Sequence, residues 1–252
     1  MQKLGSPNTG PAVKWYRGRV PLRAIFFDAG NTLVRIDYAA IAAALAAHGV
    51  ATTPEALMRA EWRARVRLDT AMFATGEVPS TEARRTHSRY LAYVLEGIGV
   101  TDAALVDAMD VWRRGYNQPV GIWTAPEPEA VPALTLARTH GLRTGVISNS
   151  NGTIKRILAG LGVLPLVDFV LDSQEEGVEK PDPAIFERAL ARAGVDAREA
   201  AYVGDIYSID VLGARRAGLS AVLLDPGQCW GRRDCPMAAS VLAAVKGLVA
   251  CT

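Results

Sequence analysis

The residues best suited to chemistry fall in four short segments, each closing or following an apolar run. Phe26-Phe27-Asp28-Ala29-Gly30-Asn31-Thr32-Leu33 carries a carboxylate directly after its run. Val146-Ile147-Ser148-Asn149 supplies a hydroxyl and a carboxamide, and Glu179-Lys180-Pro181-Asp182-Pro183 supplies an ammonium. Gly204-Asp205-Ile206-Tyr207-Ser208-Ile209-Asp210 adds two carboxylates. Each has a plain structural explanation when taken alone. Asp28 and Asp205 can be turn or cap residues, Ser148-Asn149 can cap a helix, Lys180 can be a solvated loop lysine, and Asp210 can be an exposed helix residue. Together, at one edge of one sheet, they have a shared chemical logic. Clustered carboxylates repel each other unless a cation balances them. Mg2+ does this with oxygen ligands, commonly one or two carboxylates together with a substrate phosphate. Such an ion lets an anionic carboxylate approach an anionic ester, while a lysine and a hydroxyl stabilise developing charge.

The elements that would position these groups are readable from periodicity. Leu22 to Phe27, Thr144 to Ile147, Phe169 to Leu171, Ala201 to Val203 and Ala221 to Leu224 are short continuous apolar runs, as expected of parallel strands buried on both faces. Ile154, Ile157, Leu158 and Leu161 have helical spacing before Gly162. Ile185, Phe186, Ala189 and Leu190 repeat it before Gly194, and Val211, Ala214 and Ala217 before Gly218. Alternating strands and helices predict a three-layer α/β fold with a parallel sheet, whose chemistry gathers at the carboxyl ends of the strands.

From about Arg35 to Trp123 the pattern changes. No strand is expected there, only helices over Tyr38–His48, Pro54–Ala74, Thr81–Gly97 and Asp102–Tyr116, with Thr53 as an N-cap and Pro54 at a first helical position. Prolines 126, 128 and 132 mark the return to the sheet. Trp62 and Trp112 are expected in the core of this helical block.

The 252 residues are 50% hydrophobic and 21% charged, ample for a packed core and against disorder. A formal net charge of +2 gives no basis for nucleic-acid or membrane binding, and no apolar run reaches the roughly 20 residues of a membrane-spanning helix. The polar start, Met1 to Arg19, does not have the pattern of a secretory signal, and a cytoplasmic location is expected. Cys229, Cys235 and Cys251 fit neither a disulfide framework nor a zinc site and are expected as free thiols.

In this order the four segments resemble the four motifs of the haloacid dehalogenase-like hydrolase superfamily. The resemblance runs from about Leu22 to Asp225, and the helical block resembles the cap that one subfamily inserts between the first two motifs. It implies a Rossmann-like core of residues 21–34 and 124–252, a helical cap of residues 35–123 and a flexible extension over residues 1–20. It further implies that Asp28 is the nucleophile of an aspartyl-phosphate mechanism. Ser148, Asn149 and Lys180 would bind the phosphorylated substrate, Lys180 also offsetting the charge on Asp28. Mg2+ would be held by Asp28, the carbonyl of Gly30 and Asp205, with Asp210 ordering its water or binding directly. The implied protein is a phosphatase of a small phosphorylated metabolite, working as a monomer or homodimer.

One position departs from the pattern. Family phosphatases carry a second aspartate two residues after the nucleophile, a general acid–base worth about 10²–10⁴-fold. Here that position is Gly30. Three readings stay open. The enzyme acts on phosphates with good leaving groups, such as acyl or aryl phosphates, or recruits another acid, for which His87 is a candidate. It is a metal-independent 2-haloacid dehalogenase. Or it binds phosphate compounds with little turnover. A phosphonate-cleaving role needs a cap lysine, and residues 35–123 contain none. Arg59, Arg63, Arg65, Arg67, Arg84, Arg85 and Arg89 either form a solvated surface balanced by Glu55, Glu61, Asp69 and Glu82, or include one or two that grip an anionic substrate.

Overall fold

The computed structural model of the chain describes residues 20–74, 80 and 83–250. The expected flexible extension and Cys251 lie outside the described residues, apart from residue 20. In chain order the strands are β1 (Ala24–Phe27), β2 (Val34–Ile36), β3 (Trp123–Pro126), β4 (Arg143–Ser148), β5 (Phe169–Asp172), β6 (Ala200–Gly204), β7 (Ser220–Leu224) and β8 (Met237–Ala238). The helices are α1 (Tyr38–Ala47), α2 (Pro54–Ala74), α3 (Arg84–Glu96), α4 (Ala103–Gly115), α5 (Ala130–Thr139), α6 (Ile154–Gly160), α7 (Ser173–Glu176), α8 (Pro183–Ala193), α9 (Leu212–Arg216) and α10 (Val241–Val249).

Six strands form one sheet in the order β5-β4-β1-β6-β7-β8, every pair parallel. Strand side chains alternate between two cores, as the pleat requires. Ile25, Phe27, Val146, Val170, Val203 and Val222 join α5, α6 and α10 on one face. Ala24, Phe26, Ile147, Leu171 and Tyr202 join α8 and α9 on the other. The chain leaves β1 for β4 and β5 on one side, then crosses to β6 and β7 on the other. The carboxyl ends of β1, β4 and β6 therefore border one crevice, the usual ligand position in such sheets.

Helices α1 to α4 pack around a core of their own, including Ile41, Leu45, Leu57, Leu68, Leu95 and Met109. Asp37, Thr53 and Asp102 accept from Ala40, Ala56 and Leu105 main-chain amides at 2.9, 3.2 and 2.8 Å, starting α1, α2 and α4 where their side chains permit. The expectation of a strand-free block fails at both ends. β2 and β3 form a two-stranded antiparallel ribbon, pairing Val34 with Pro126 and Arg35 with Ala125, where the chain leaves and re-enters the sheet domain. These strands are too short for alternation to register in sequence. Trp112 packs in the helical core as expected. Trp62 instead faces Gly227, whose α-carbon lies so close that an added Cβ would come within 2.6 Å of the indole.

The helical block depends on this core, which Ile209 of the sheet's acidic loop also enters. Leu57→Ala, at a fully buried position, is expected to cost about 2–5 kcal/mol in denaturant unfolding, whereas Val111→Ala at an exposed position should stay within about 0.5 kcal/mol. Equal, small effects at both positions would refute the packing described.

Candidate active site

Asp28 follows the last residue of the central strand β1, Ser148 ends β4, and Asp205 follows β6. Lys180 enters from the loop between α7 and α8. All four are buried. The lysine is no solvated loop residue: its Nζ donates to Asp28 Oδ1 at 2.5 Å, Asp210 Oδ1 at 2.7 Å and the Tyr202 hydroxyl at 2.8 Å. Three donors meet three acceptors. The two carboxylates hold its ammonium charged, above the ordinary lysine range, against a large opposing effect of burial. Burial pushes the Asp28 carboxyl up to about 6, opposed by the Lys180 charge and assisted by Asp210.

Asp210 is buried and structural as well as ionic. Its Oδ2 accepts the amides of Asp205 (3.0 Å) and Ile206 (2.9 Å), while Oδ1 accepts from Lys180 and Tyr202. Both of its oxygens are thus occupied by two donors each, which suits bracing better than direct metal ligation. The π-helical turn Tyr207–Val211 carries this carboxylate back under the loop. Gly204 makes room for it, since a Cβ there would lie 2.4 Å from Asp210 Cγ. Asn149 is similarly committed. Its Oδ1 accepts the Lys180 amide at 2.8 Å and its Nδ2 donates to the Lys180 carbonyl at 2.9 Å. The carboxamide therefore clamps the lysine loop, although Asn149 also borders the cleft.

Sequence reasoning missed a second layer that comes from the helical block. Glu61 and Arg65, one turn apart on α2, are buried and form a bidentate pair. Arg65 Nη1 reaches Asp205 Oδ2 at 3.0 Å. Tyr38 and Tyr90 donate to Glu61, and Asn31, held at φ 54°, donates to Asp205 Oδ2 at 3.3 Å. Asp69, one turn beyond Arg65, accepts the Ser208 amide at 2.9 Å. Glu61 and Asp69 are thus buried partners of the site, not solvent counterions. Among the arginines of the helical block with described side chains that the sequence singled out, only Arg65 is buried. It meets a core carboxylate, not the open cleft. The available signal was position: Glu61 and Arg65 share a helix face with Leu57, Ala64 and Leu68.

The carboxylate oxygens offered by Asp28, Asp205 and Asp210 lie within 4.8 Å of one another. Counting Glu61, four buried carboxylates contact two buried cations, Lys180 and Arg65. Two negative charges are left for a divalent cation, and oxygen donors of this hardness fit Mg2+. Burial, opposed by Arg65 and reinforced by Asp28 and Asp210, raises the Asp205 carboxyl well above its ordinary range when no such ion compensates it.

A cleft of about 230 Å³ opens over this cluster. Asp28, Gly30, Ser148, Lys180 and Asp205 border it from the sheet, and His87, Tyr90, Arg113 and Trp123 from above. His87 thus reaches the cleft wall, next to Trp123 with ring centroids 6.0 Å apart. Arg113, which the sequence did not single out, is paired with Asp110 at 2.9 Å.

Packing at Gly204 gives a direct test. Gly204→Ala must displace Asp210 from Lys180 and the 205–206 amides, and should destabilise the protein by about 1–3 kcal/mol in denaturant melts. Unchanged stability would contradict the close approach.

A family model described as haloacid dehalogenase-like hydrolase matches residues 22–218. Over 211 residues the chain is 32% identical to haloacid dehalogenase-like hydrolase domain-containing protein 3 of Homo sapiens, covering 82% of this chain and 83% of that one. It is 35% identical over 145 residues to glyceraldehyde 3-phosphate phosphatase of Methanopyrus kandleri, covering 56% of this chain and 60% of that one. Among solved structures, 2-haloacid dehalogenase from Pseudomonas syringae pv. Tomato DC3000 superposes with TM-score 0.54 at 27% identity, over 92% of this chain and 100% of that one. No helix among the described residues is long and apolar enough to cross a membrane. The motif order read from the sequence, the parallel sheet that gathers those motifs and these similarities agree: the chain belongs to the haloacid dehalogenase-like family and is a hydrolase.

Proposed function

We propose that the protein is a Mg2+-dependent phosphatase of small phosphorylated metabolites in the cytoplasm, acting through an aspartyl-phosphate on Asp28. The observation that carries this is the pairing of a buried Asp28 with Lys180 inside a cluster of carboxylates whose charge two local cations leave half balanced. Asp28, Asp205 and the carbonyl of residue 30 would hold the ion, with Asp210 bracing the loop. The ion would neutralise phosphoryl oxygens and allow the anionic nucleophile to approach.

The chain's own groups supply the rest. A carboxylate oxygen of Asp28 forms a bond to phosphorus as the bond from phosphorus to the leaving oxygen breaks. Ser148 binds a phosphoryl oxygen, Lys180 supplies positive charge beside Asp28 while its three donors stay on Asp28, Asp210 and Tyr202, and Asn149 keeps Lys180 in place through its main chain. Water then attacks the phosphoryl group, returning Asp28 as a carboxylate and releasing inorganic phosphate. The helical segment of residues 35–123 covers the cleft, limits water and selects the substrate.

Gly30 and the similarity to a 2-haloacid dehalogenase support one competing activity, metal-independent cleavage of a carbon–halogen bond. Phosphate release from aryl, acyl, sugar and nucleotide phosphates, measured with Mg2+ and with EDTA, separates the two. A phosphatase stops in EDTA, whereas activity on haloacids that ignores EDTA would replace the proposal. Asp28→Asn keeps the side-chain shape and should lower turnover about 10³-fold or more with the fold retained. A fully active variant would remove Asp28 as nucleophile.

Metal binding has its own readout. The Asp28 carboxyl is raised from an ordinary 3.8 to about 6, so the folded metal-free protein holds that proton more tightly than the unfolded chain. Its contribution to stability is complete below about pH 4 and is lost as pH rises through about 6. Mg2+ binds the ionised carboxylates, so it should raise Tm by several degrees at about pH 7.5 and far less at about pH 4.5. A Tm indifferent to Mg2+ at neutral pH would argue against the ion.

A further inference from the structure

Gly30 lies in the cleft two residues after the nucleophile, and the space beside it is already filled. A Cβ built on Gly30 would lie 3.1 Å from Trp123 Nε1 and 3.3 Å from Cδ1, closer than aliphatic carbons ordinarily come. The indole is not free to swing aside. Trp123 begins β3, is paired with Ile36 of β2, and packs against both the sheet core and the helical core. Tyr90 stacks on it at 6.1 Å with planes 10° apart, and the Tyr90 hydroxyl is itself tied to Glu61. His87 lies against it as well, its ring centroid 6.0 Å away.

We propose that Trp123 takes the place of the side chain absent at residue 30 and sets the substrate class, which is phosphoryl groups carried on an acidic oxygen, as in acyl and aryl phosphates. This rests on the phosphatase reading above. The indole N–H donates a hydrogen bond but does not give up its proton, so it can steady a leaving oxygen without protonating it. Three of the neighbouring groups do not replace the missing acid, and His87 is the group the experiment must exclude. Lys180 spends all three donors on Asp28, Asp210 and Tyr202. The hydroxyl of Tyr90 is committed to Glu61. Arg113 is paired with Asp110, and a guanidinium is not a proton donor in such chemistry. As phosphorus bonds to Asp28, the electron pair of the breaking bond therefore leaves on the substrate oxygen as a carboxylate or phenolate. The water that later opens the aspartyl-phosphate gives its oxygen to phosphate and its protons to phosphate and solvent.

The experiment has two arms. The first follows kcat/KM across acetyl phosphate, substituted phenyl phosphates and alkyl phosphates. The wild type should fall steeply as the leaving group becomes more basic, with alkyl phosphates slower than p-nitrophenyl phosphate by about 10²-fold or more, the scale of a missing general acid. Gly30→Asp alone should not recover alkyl phosphates, because its Cβ already crowds the Trp123 indole. Gly30→Asp with Trp123→Ala should flatten the dependence. The second arm is a thermal-unfolding cycle that needs no activity: Gly30→Ala should lower Tm in the wild type but not in the Trp123→Ala background. Equal losses in both backgrounds would overturn the placement of the indole. A wild type that hydrolyses alkyl and aryl phosphates alike, and loses only the alkyl activity in His87→Gln, would overturn the proposal and give the proton to that imidazole. Release from none of the phosphates would overturn the phosphatase reading and the substrate class with it, while the unfolding cycle would still decide whether Trp123 fills the space at Gly30.

Discussion

The site depends on one buried ammonium. Lys180 brings a positive charge into a region where Asp28 and Asp210 have been removed from water, and each of its donors meets an acceptor. An uncompensated buried carboxylate is costly and takes up a proton instead of staying charged. The lysine therefore opposes the burial that raises the Asp28 carboxyl and places a positive charge between Asp28 and Asp210. Its own position is held through its main chain by Asn149, so a residue at the end of β4 fixes a loop that follows α7. A parallel sheet makes this economical, because three adjacent strands deliver their next residues to the same crevice.

The same charge logic joins the helical block to the sheet. Arg65 is paired with Glu61 on its own helix and with Asp205 across the interface, and Asp69 accepts a main-chain amide from the Asp205–Asp210 loop. The long helix α2 is thus registered against that loop at two points one turn apart. Breaking one member of such a buried network strands its partner without compensation, so the block and the acidic loop are bound to keep their relative geometry. Family membership does not by itself choose a reaction, since a shared fold hosts different chemistries. What is local to this chain is the close approach of the Trp123 indole to Gly30, two residues after Asp28.

Much of this was legible in the amino-acid order. Five of the six sheet strands were visible as apolar runs, because strands covered on both faces have no polar alternation to obscure them. The helix α2 starts where expected because Thr53 and Pro54 begin it by side-chain capping and a preset φ. The ribbon of β2 and β3, and the two-residue β8, were not legible. They are too short to carry a period, and their pairing partners are distant in sequence or belong to an edge. Spacing alone leaves Glu61 and Asp69 open to a solvated reading, since a helical acid usually faces water. Their burial follows from a contact made by another part of the chain.

The sequence determined the order of the motifs, the alternation of strands and helices, and the glycine at position 30, since each is a matter of residue type and local spacing. Tertiary structure decided which of those groups meet. It turned Tyr202 toward Lys180, committed Asn149 to the lysine loop, joined Asp210 to Lys180, aimed one arginine of the helical block at Asp205, and laid Trp123 beside Gly30. The physical reason is distance along the chain. Backbone periodicity and capping act within a few residues, whereas these contacts join groups separated by tens to more than a hundred residues, and only packing brings such groups within hydrogen-bond range.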